Sequence, residues 1–307
     1  MNKEIVIATR GSKLALWQAE YIKSEIEKHH KNIVCRLEII KTTGDKILDV
    51  PLAKIGGKGL FVKEIETALM EKKADLAVHS MKDVPMELPK GLELIPSPIA
   101  EKPNDAFLSI RYNSIAELPI GAKVGTSSLR RKLQLLELRP DLEVVDLRGN
   151  VQTRMQKLVD GIYDGIILAY AGLIRLELTD NIKEIISVDK MLPASCQGIL
   201  GLEVRSDDNE IKELLSFLGH KDSYTRALCE RAFLRKLQGG CQIPIGCHSV
   251  LDNENIKVKG LIYNLDGSKK IEKEIVYDIN KPEEAGIKLA ESVLISGGDK
   301  ILEEIYK

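Results

Sequence analysis

Gly239-Gly240-Cys241 is followed by Gln242-Ile243-Pro244-Ile245-Gly246. Two glycines let the backbone turn sharply and leave room beside the next side chain. The Cys241 sulfur is therefore expected on a turn rather than in a helix interior. A thiol so placed can serve as a nucleophile or as a covalent tether.

The second chemical feature is arginine. Of 45 Lys and Arg residues only 13 are Arg, so lysine supplies the general surface charge and each arginine is a candidate for a specific task. A guanidinium binds a carboxylate through two parallel hydrogen bonds, which lysine cannot do. Arg10, Arg130, Arg131, Arg148, Arg154, Arg175 and Arg205 fall mostly at expected strand ends or first helical turns. Thr126-Ser127-Ser128 adds hydroxyls beside backbone N–H groups at a helix start. Any one of these arginines is most simply a surface ion-pair residue; seven in such positions suit a ligand with several carboxylates or phosphates.

Asp83 follows a short apolar strand in His79-Ser80-Met81-Lys82-Asp83-Val84-Pro85. It can move protons or stabilise a developing cation, or it can be a turn-forming Asp. His79, at the end of an apolar strand, reads as a packed, hydrogen-bonded residue. Residues 42–59 hold four glycines among Asp45, Asp49, Lys46, Lys54 and Lys58 and read as a lid over an anion. Ile55-Gly56-Gly57-Lys58-Gly59 fails the P-loop pattern because no Ser or Thr follows the lysine. Cys229, Cys241, Cys247 and His248 are spaced too irregularly for a zinc site, and no metal is expected.

These residues need a scaffold. Ile5–Ala8 reads as a buried strand, with Ser12 capping a helix whose stripe is Ala15, Ala19, Ile22 and Ile26. Strands are expected at 33–40, 76–78, 122–124, 144–147 and 166–169, and helices at 60–72, from 129, and from Asn150 to Gly161. Two similar α/β lobes with mostly parallel sheets follow, and such sheets bind ligands at the carboxyl ends of their strands. From about 220 a helix (224–237), three strand-like runs (243–251, 256–263, 271–278) with an Asp266-Gly267 turn, and a last helix (283–295) indicate a small α+β domain. The division expected is 1–98 plus about 195–218, then 99–194, then 219–307.

A net charge of −1 provides no global attraction to nucleic acid or anionic membrane. The first apolar run is too short for a signal peptide, and none approaches the roughly 20 residues that span a bilayer. Five cysteines without a CxxC motif read as thiols in a cytoplasmic chain.

Taken in order, Ile7–Ser12, Pro51–Phe61, Ala77–Pro85, Gly125–Arg131, Leu147–Asn150 and Gly239–Gly246 resemble the porphobilinogen deaminase family over nearly the whole chain. The resemblance implies two lobes like type II periplasmic binding proteins plus a third domain. It implies a dipyrromethane cofactor joined to Cys241 by a thioether. The implied reaction deaminates four porphobilinogen molecules, adds them head to tail, and releases hydroxymethylbilane by hydrolysis. Asp83 would support the azafulvene-type cation formed when ammonia leaves. Arg10, Ser80, Lys82, Thr126, Ser127, Ser128, Arg130, Arg131, Arg148, Arg154, Arg175, Gln197 and Arg205 would hold acetate and propionate groups, with Asp45, Lys54 and Lys58 in the lid. The resemblance further implies a monomer whose product passes to uroporphyrinogen-III synthase. Cys196 and Cys247 depart from the family pattern and are expected to raise the chance of oxidation or of a second thiol near the site. Two other classes remain open on the residues alone: a polyanion-binding module and a cysteine hydrolase.

Overall fold

The computed structural model describes residues 3–46, 59, 62–240 and 243–306. The chain separates into two compact units, residues 1–100 with 199–224 and residues 101–198 with 225–307.

In the first unit, strands β1 (Lys3–Thr9), β2 (Ile33–Ile39), β3 (Leu76–Ser80), β4 (Leu92–Ile95) and β10 (Leu200–Arg205) form one sheet in the order β2-β1-β3-β10-β4. β1 pairs in parallel with β2 and β3, whereas β10 is antiparallel to both β3 and β4. Alternate side chains leave opposite faces of a strand. Accordingly Ile5, Ile7, Leu76, Val78, Leu200, Leu202 and Val204 pack with Ala19, Ile22 and Ile26 of the helix Lys13–His29. Ala8, Ala77 and Leu92 pack on the other face with Ile65, Ala68 and Leu69 of the helix Lys63–Met70. Ser12 caps its helix as its sequence position predicts, accepting from Ala15 N at 3.3 Å.

In the second unit, β5 (Asp105–Leu108), β6 (Lys123–Gly125), β7 (Glu143–Val145), β8 (Gly165–Ala169) and β9 (Ile182–Ile186) run in the order β7-β6-β8-β5-β9. Again one strand, β5, is antiparallel to its two neighbours while β6 is parallel to β7 and β8. The expected pair of similar, mostly parallel α/β sheets is therefore present. The unit also holds an antiparallel meander of β11 (Ile245–Asp252), β12 (Asn255–Tyr263) and β13 (Lys270–Asp278). Gly267, at φ +79°, lies in the predicted turn between β12 and β13.

β4, β5 and β9, of four or five residues each, were not among the expected strands. The chain also does not end on one helix. Pro282–Val293 leads through Gly297, at φ +104°, into a further helix, Asp299–Tyr306.

Candidate active site

The carboxyl ends of β1 and β3 supply one cavity of the first unit. Its walls, about 80 Å³ in volume, are Arg10, Ser12, Gln18, His79, Ser80 and Asp83 with Leu14, Ala15, Val62 and Val78. Arg10 leaves the last residue of β1, Ser80 ends β3, and Asp83 is exposed on the single 3-10 turn Met81–Asp83. Gln18 is buried and donates from Nε2 to Ser80 Oγ at 2.9 Å. Sequence reading missed Gln18; the signal was a polar residue inside the apolar stripe between Ala15 and Ala19. Arg10 Nε donates to Asp45 Oδ1 at 3.2 Å, and Thr42 donates to Asp45 Oδ2 from its N (3.1 Å) and Oγ1 (2.7 Å). Burial pushes the Asp45 carboxyl up, but the Arg10 and Thr42 hydrogen bonds outweigh it and hold it below the ordinary Asp range.

Arg205 does not join this group. β10 runs antiparallel to β3, with Leu200 opposite Ser80 and Glu203 opposite Ala77, so Arg205 lies at the far end of the sheet from the cavity. Its guanidinium donates to Leu69 O (3.0 Å), Ala74 O (2.6 Å), Asp75 (3.2 Å) and Asp208 (2.6 Å). The antiparallel direction of β10 therefore keeps Arg205 away from the cavity, contrary to its expected place among the ligand-binding arginines.

In the second unit, Thr126, Ser127 and Ser128 follow β6 and lead into the helix Leu129–Leu138. Ser128 caps it, accepting from Arg131 N at 3.4 Å, while Ser127 is exposed. Arg148 and Arg154 flank the next helix start, Val151–Val159; both are half-buried, and Arg154 Nε donates to Gly149 O at 2.8 Å. Arg130 and Arg131 are buried, and both face Asp105. Arg130 Nη1 donates to Asp105 Oδ2 at 2.7 Å and Arg131 Nε to Asp105 Oδ1 at 2.9 Å. Gln197 Nε2 also reaches Asp105 Oδ1, at 2.9 Å. Arg175 is buried and donates to Gly198 O at 2.7 Å. The sequence reading did not include Asp105, the internal partner of two of its arginines.

Cys196 and Cys247 are fully buried, and burial followed by the charge of Glu230 pushes both thiols up. The expected second reactive thiol near the site is thereby corrected, since attack and oxidation proceed through the thiolate. Cys241, Lys54 and Lys58 lie outside the described residues. Among the described residues no group of His, Cys, Asp and Glu is placed to hold a metal ion, and no helix is long and apolar enough to cross a membrane.

Two family profiles match the sequence. One, described as porphobilinogen deaminase, dipyromethane cofactor binding domain, covers residues 5–213; the other, porphobilinogen deaminase, C-terminal domain, covers residues 224–294. The chain belongs to the porphobilinogen deaminase family. Porphobilinogen deaminases of Nitratidesulfovibrio vulgaris are similar to it nearly end to end. That of strain Hildenborough is 54% identical over 306 residues, 99% of this chain and 97% of that protein. That of strain Miyazaki F is 52% identical over 310 residues, 99% of this chain and 98% of that protein. A periplasmic substrate-binding protein of an ABC transporter from Coxiella burnetii aligns at 14% identity and TM-score 0.45, over 73% of this chain and 95% of that one. The family assignment rests on the sequence matches alone.

A porphobilinogen deaminase of this family carries the dipyromethane-binding region within residues 5–213. The donors found there fit such a group. Arg10, Ser12 and Ser80 place cationic and hydroxyl groups together in the first unit's cavity, and in the second unit Ser127, Arg148 and Arg154 lie at helix starts. Asp83 adds an exposed carboxylate to the same cavity as Arg10.

Proposed function

We propose that this transferase condenses four porphobilinogen molecules head to tail, with loss of ammonia, and releases hydroxymethylbilane by hydrolysis. Asp83 in one cavity with Arg10, Ser12 and Ser80 is the observation that carries the reading. A dipyrromethane, when bound, supplies the nucleophilic pyrrole carbon. Its thioether attachment is assigned to Cys241, on the family pattern Gly239-Gly240-Cys241. Asp83 accepts from the pyrrole N–H of the incoming substrate and stabilises the positive charge that develops as the C–N bond breaks. Arg10, Ser80, Lys82, Ser127, Ser128, Arg148 and Arg154 orient acid side chains. Thr126, which is buried, shapes the turn by accepting from Ser128 N at 3.3 Å. Arg130, Arg131 and Gln197 hold the Asp105 carboxylate and Arg175 holds the Gly198 carbonyl, which fixes the second unit's donors in place. A division of the second unit into residues 99–194 and 219–307 belongs to the same reading, as do a monomeric, cytoplasmic state and hand-over of product to uroporphyrinogen-III synthase.

Intact mass and turnover test it together. The purified chain should carry an added mass equal to two linked pyrroles, absent from Cys241→Ser. Asp83→Asn should keep the fold and lose most porphobilinogen consumption. Near-normal consumption by Asp83→Asn would remove Asp83 from the reaction, and an unmodified native chain would remove the covalent cofactor.

A further inference from the structure

Behind the cavity lies a buried set of acids that the reaction outlined above does not use. Ala77 and His79 share one face of β3, the face that packs on the helix Lys63–Met70. Glu203, opposite Ala77 on β10, is diagonal to His79 and fully buried. His79 Nε2 and Glu203 Oε2 are 2.9 Å apart. Gly201 stands opposite His79, and a Cβ there would lie 3.3 Å from Val84 Cγ2 and 3.5 Å from His79 Cβ. Glu66, 6% exposed, comes from the helix Lys63–Met70. Among the described residues Glu66 Oε1 and Glu203 Oε1 are buried without a hydrogen-bond partner.

Buried polar atoms are normally satisfied, and two neighbouring buried carboxylates cannot both ionise cheaply. The charged and titratable groups facing His79 are Glu203 from β10, Glu66 from the helix, and Arg10 and Asp83 around the cavity. The helix Lys13–His29 presents neutral Gln18. Of these, Arg10 is already paired with Asp45.

We propose that Glu66 and Glu203 are positioning residues for the deaminase reaction, jointly holding one exchangeable proton behind His79 and so setting the charge that the wall beside Asp83 presents to a carboxylate-bearing substrate. This rests on the reading of the cavity as the substrate site. The step is a protonation equilibrium alone: Glu66 exchanges one proton with bulk water, becoming a carboxylate when it leaves, and no other bond changes. Burial and the Glu203 charge push the Glu66 carboxyl up to about 7, against the opposing effect of His79. Above that pH the Glu66 carboxylate adds negative charge behind the site, and a polyanionic substrate binds less well.

The test uses the full chain, labelled at the Glu side-chain carboxyls and His rings and followed by NMR from about pH 5 to about pH 9. One Glu carboxyl should titrate near neutrality and vanish in Glu66→Gln. KM for porphobilinogen should rise across neutrality in the native chain and stay level in Glu66→Gln. A Glu66 carboxyl titrating in the ordinary Glu range, or a pH dependence of KM that survives in Glu66→Gln, would overturn the proposal. Should Glu66→Gln not fold, Glu203→Gln answers the question instead, since it should lower the Glu66 midpoint; no movement would overturn it equally. A native chain that consumes no porphobilinogen defeats the assigned function, while the NMR titration still decides whether the shared proton exists.

Discussion

Asp105 Oδ1 accepts from Arg131 Nε at 2.9 Å and is ion-paired with its Nη2 at 2.7 Å, with both side chains buried. Arg130 reaches the other carboxylate oxygen, so one anion is shared by two buried cations. Burial alone would push the Asp105 carboxyl up, yet the two guanidinium groups outweigh it and hold it well below the usual carboxylate range. Removing one partner from such a set leaves uncompensated buried charge. Asp105→Asn should lower unfolding free energy by about 3–5 kcal/mol in urea titrations. A loss below about 1 kcal/mol, the size of an exposed pair, would show that the cluster is not what holds this turn. The low pKa of Asp105 also fixes a sign. Its contribution is complete above the ordinary Asp pKa and declines only as pH falls below it.

Glu66 gives the opposite pH dependence. Its carboxyl is raised to about 7 in the folded chain, chiefly by burial, from an ordinary value of 4.5. Between those values the unfolded chain releases a proton that the folded chain keeps. The folded state thus binds more protons there, and stability falls as pH rises through the window. Above pH 7 the full cost of the buried carboxylate is present. Glu66→Gln should flatten the stability–pH curve over that interval, with little change below it. Denaturation midpoints at closely spaced pH values measure this, and an unchanged slope in the variant would contradict it.

The architecture was legible where the pattern was long or capped. The Ser12 and Asn150 caps and the helical stripe Ala19, Ile22, Ile26 all stand where expected, because each signal lies within one turn of chain. Strand direction was not legible, since pairing is set by contacts far apart in sequence. Arg205 shows the consequence: it resembles Arg10 as a strand-end arginine, but β10 is antiparallel and delivers it to the far edge. Asp105 was hidden for a related reason. Its partners, Arg130, Arg131 and Gln197, lie 25, 26 and 92 residues away, and nothing local marks it as charged core. Glu66 reads as one more solvated acid in a helix until the sheet that covers it is known.

Gly198 is predicted to tolerate no side chain. Its φ is +91°, and an added Cβ would meet Glu101 O at 2.4 Å. Backbone strain alone costs on the order of 1–3 kcal/mol, and the clash with a main-chain oxygen adds to it. Arg175 donates to Gly198 O, so the shift would also disturb that guanidinium. Gly121 is the control, with φ +75° and open space around the position of a Cβ. Gly198→Ala should therefore lose clearly more stability than Gly121→Ala. Equal losses would mean that conformation, not close approach to Glu101, dictates glycine at residue 198.

Two arginines that look alike in sequence should separate by experiment. Arg205→Leu removes the donors to Leu69 O and Ala74 O and one partner of both Asp75 and Asp208. Each buried group left unsatisfied costs about 1–3 kcal/mol, so this variant should unfold early. Its KM for porphobilinogen should stay near the native value, because Arg205 stands across the sheet from Ser80 and Asp83. Arg148 is half-buried at the start of the helix Val151–Val159. Arg148→Leu should keep most stability yet impair cofactor loading or chain extension, read as altered intact mass and slower substrate consumption. A stable Arg205→Leu with weakened substrate binding would return Arg205 to the ligand site. An Arg148→Leu chain with native product and rate would take Arg148 out of it.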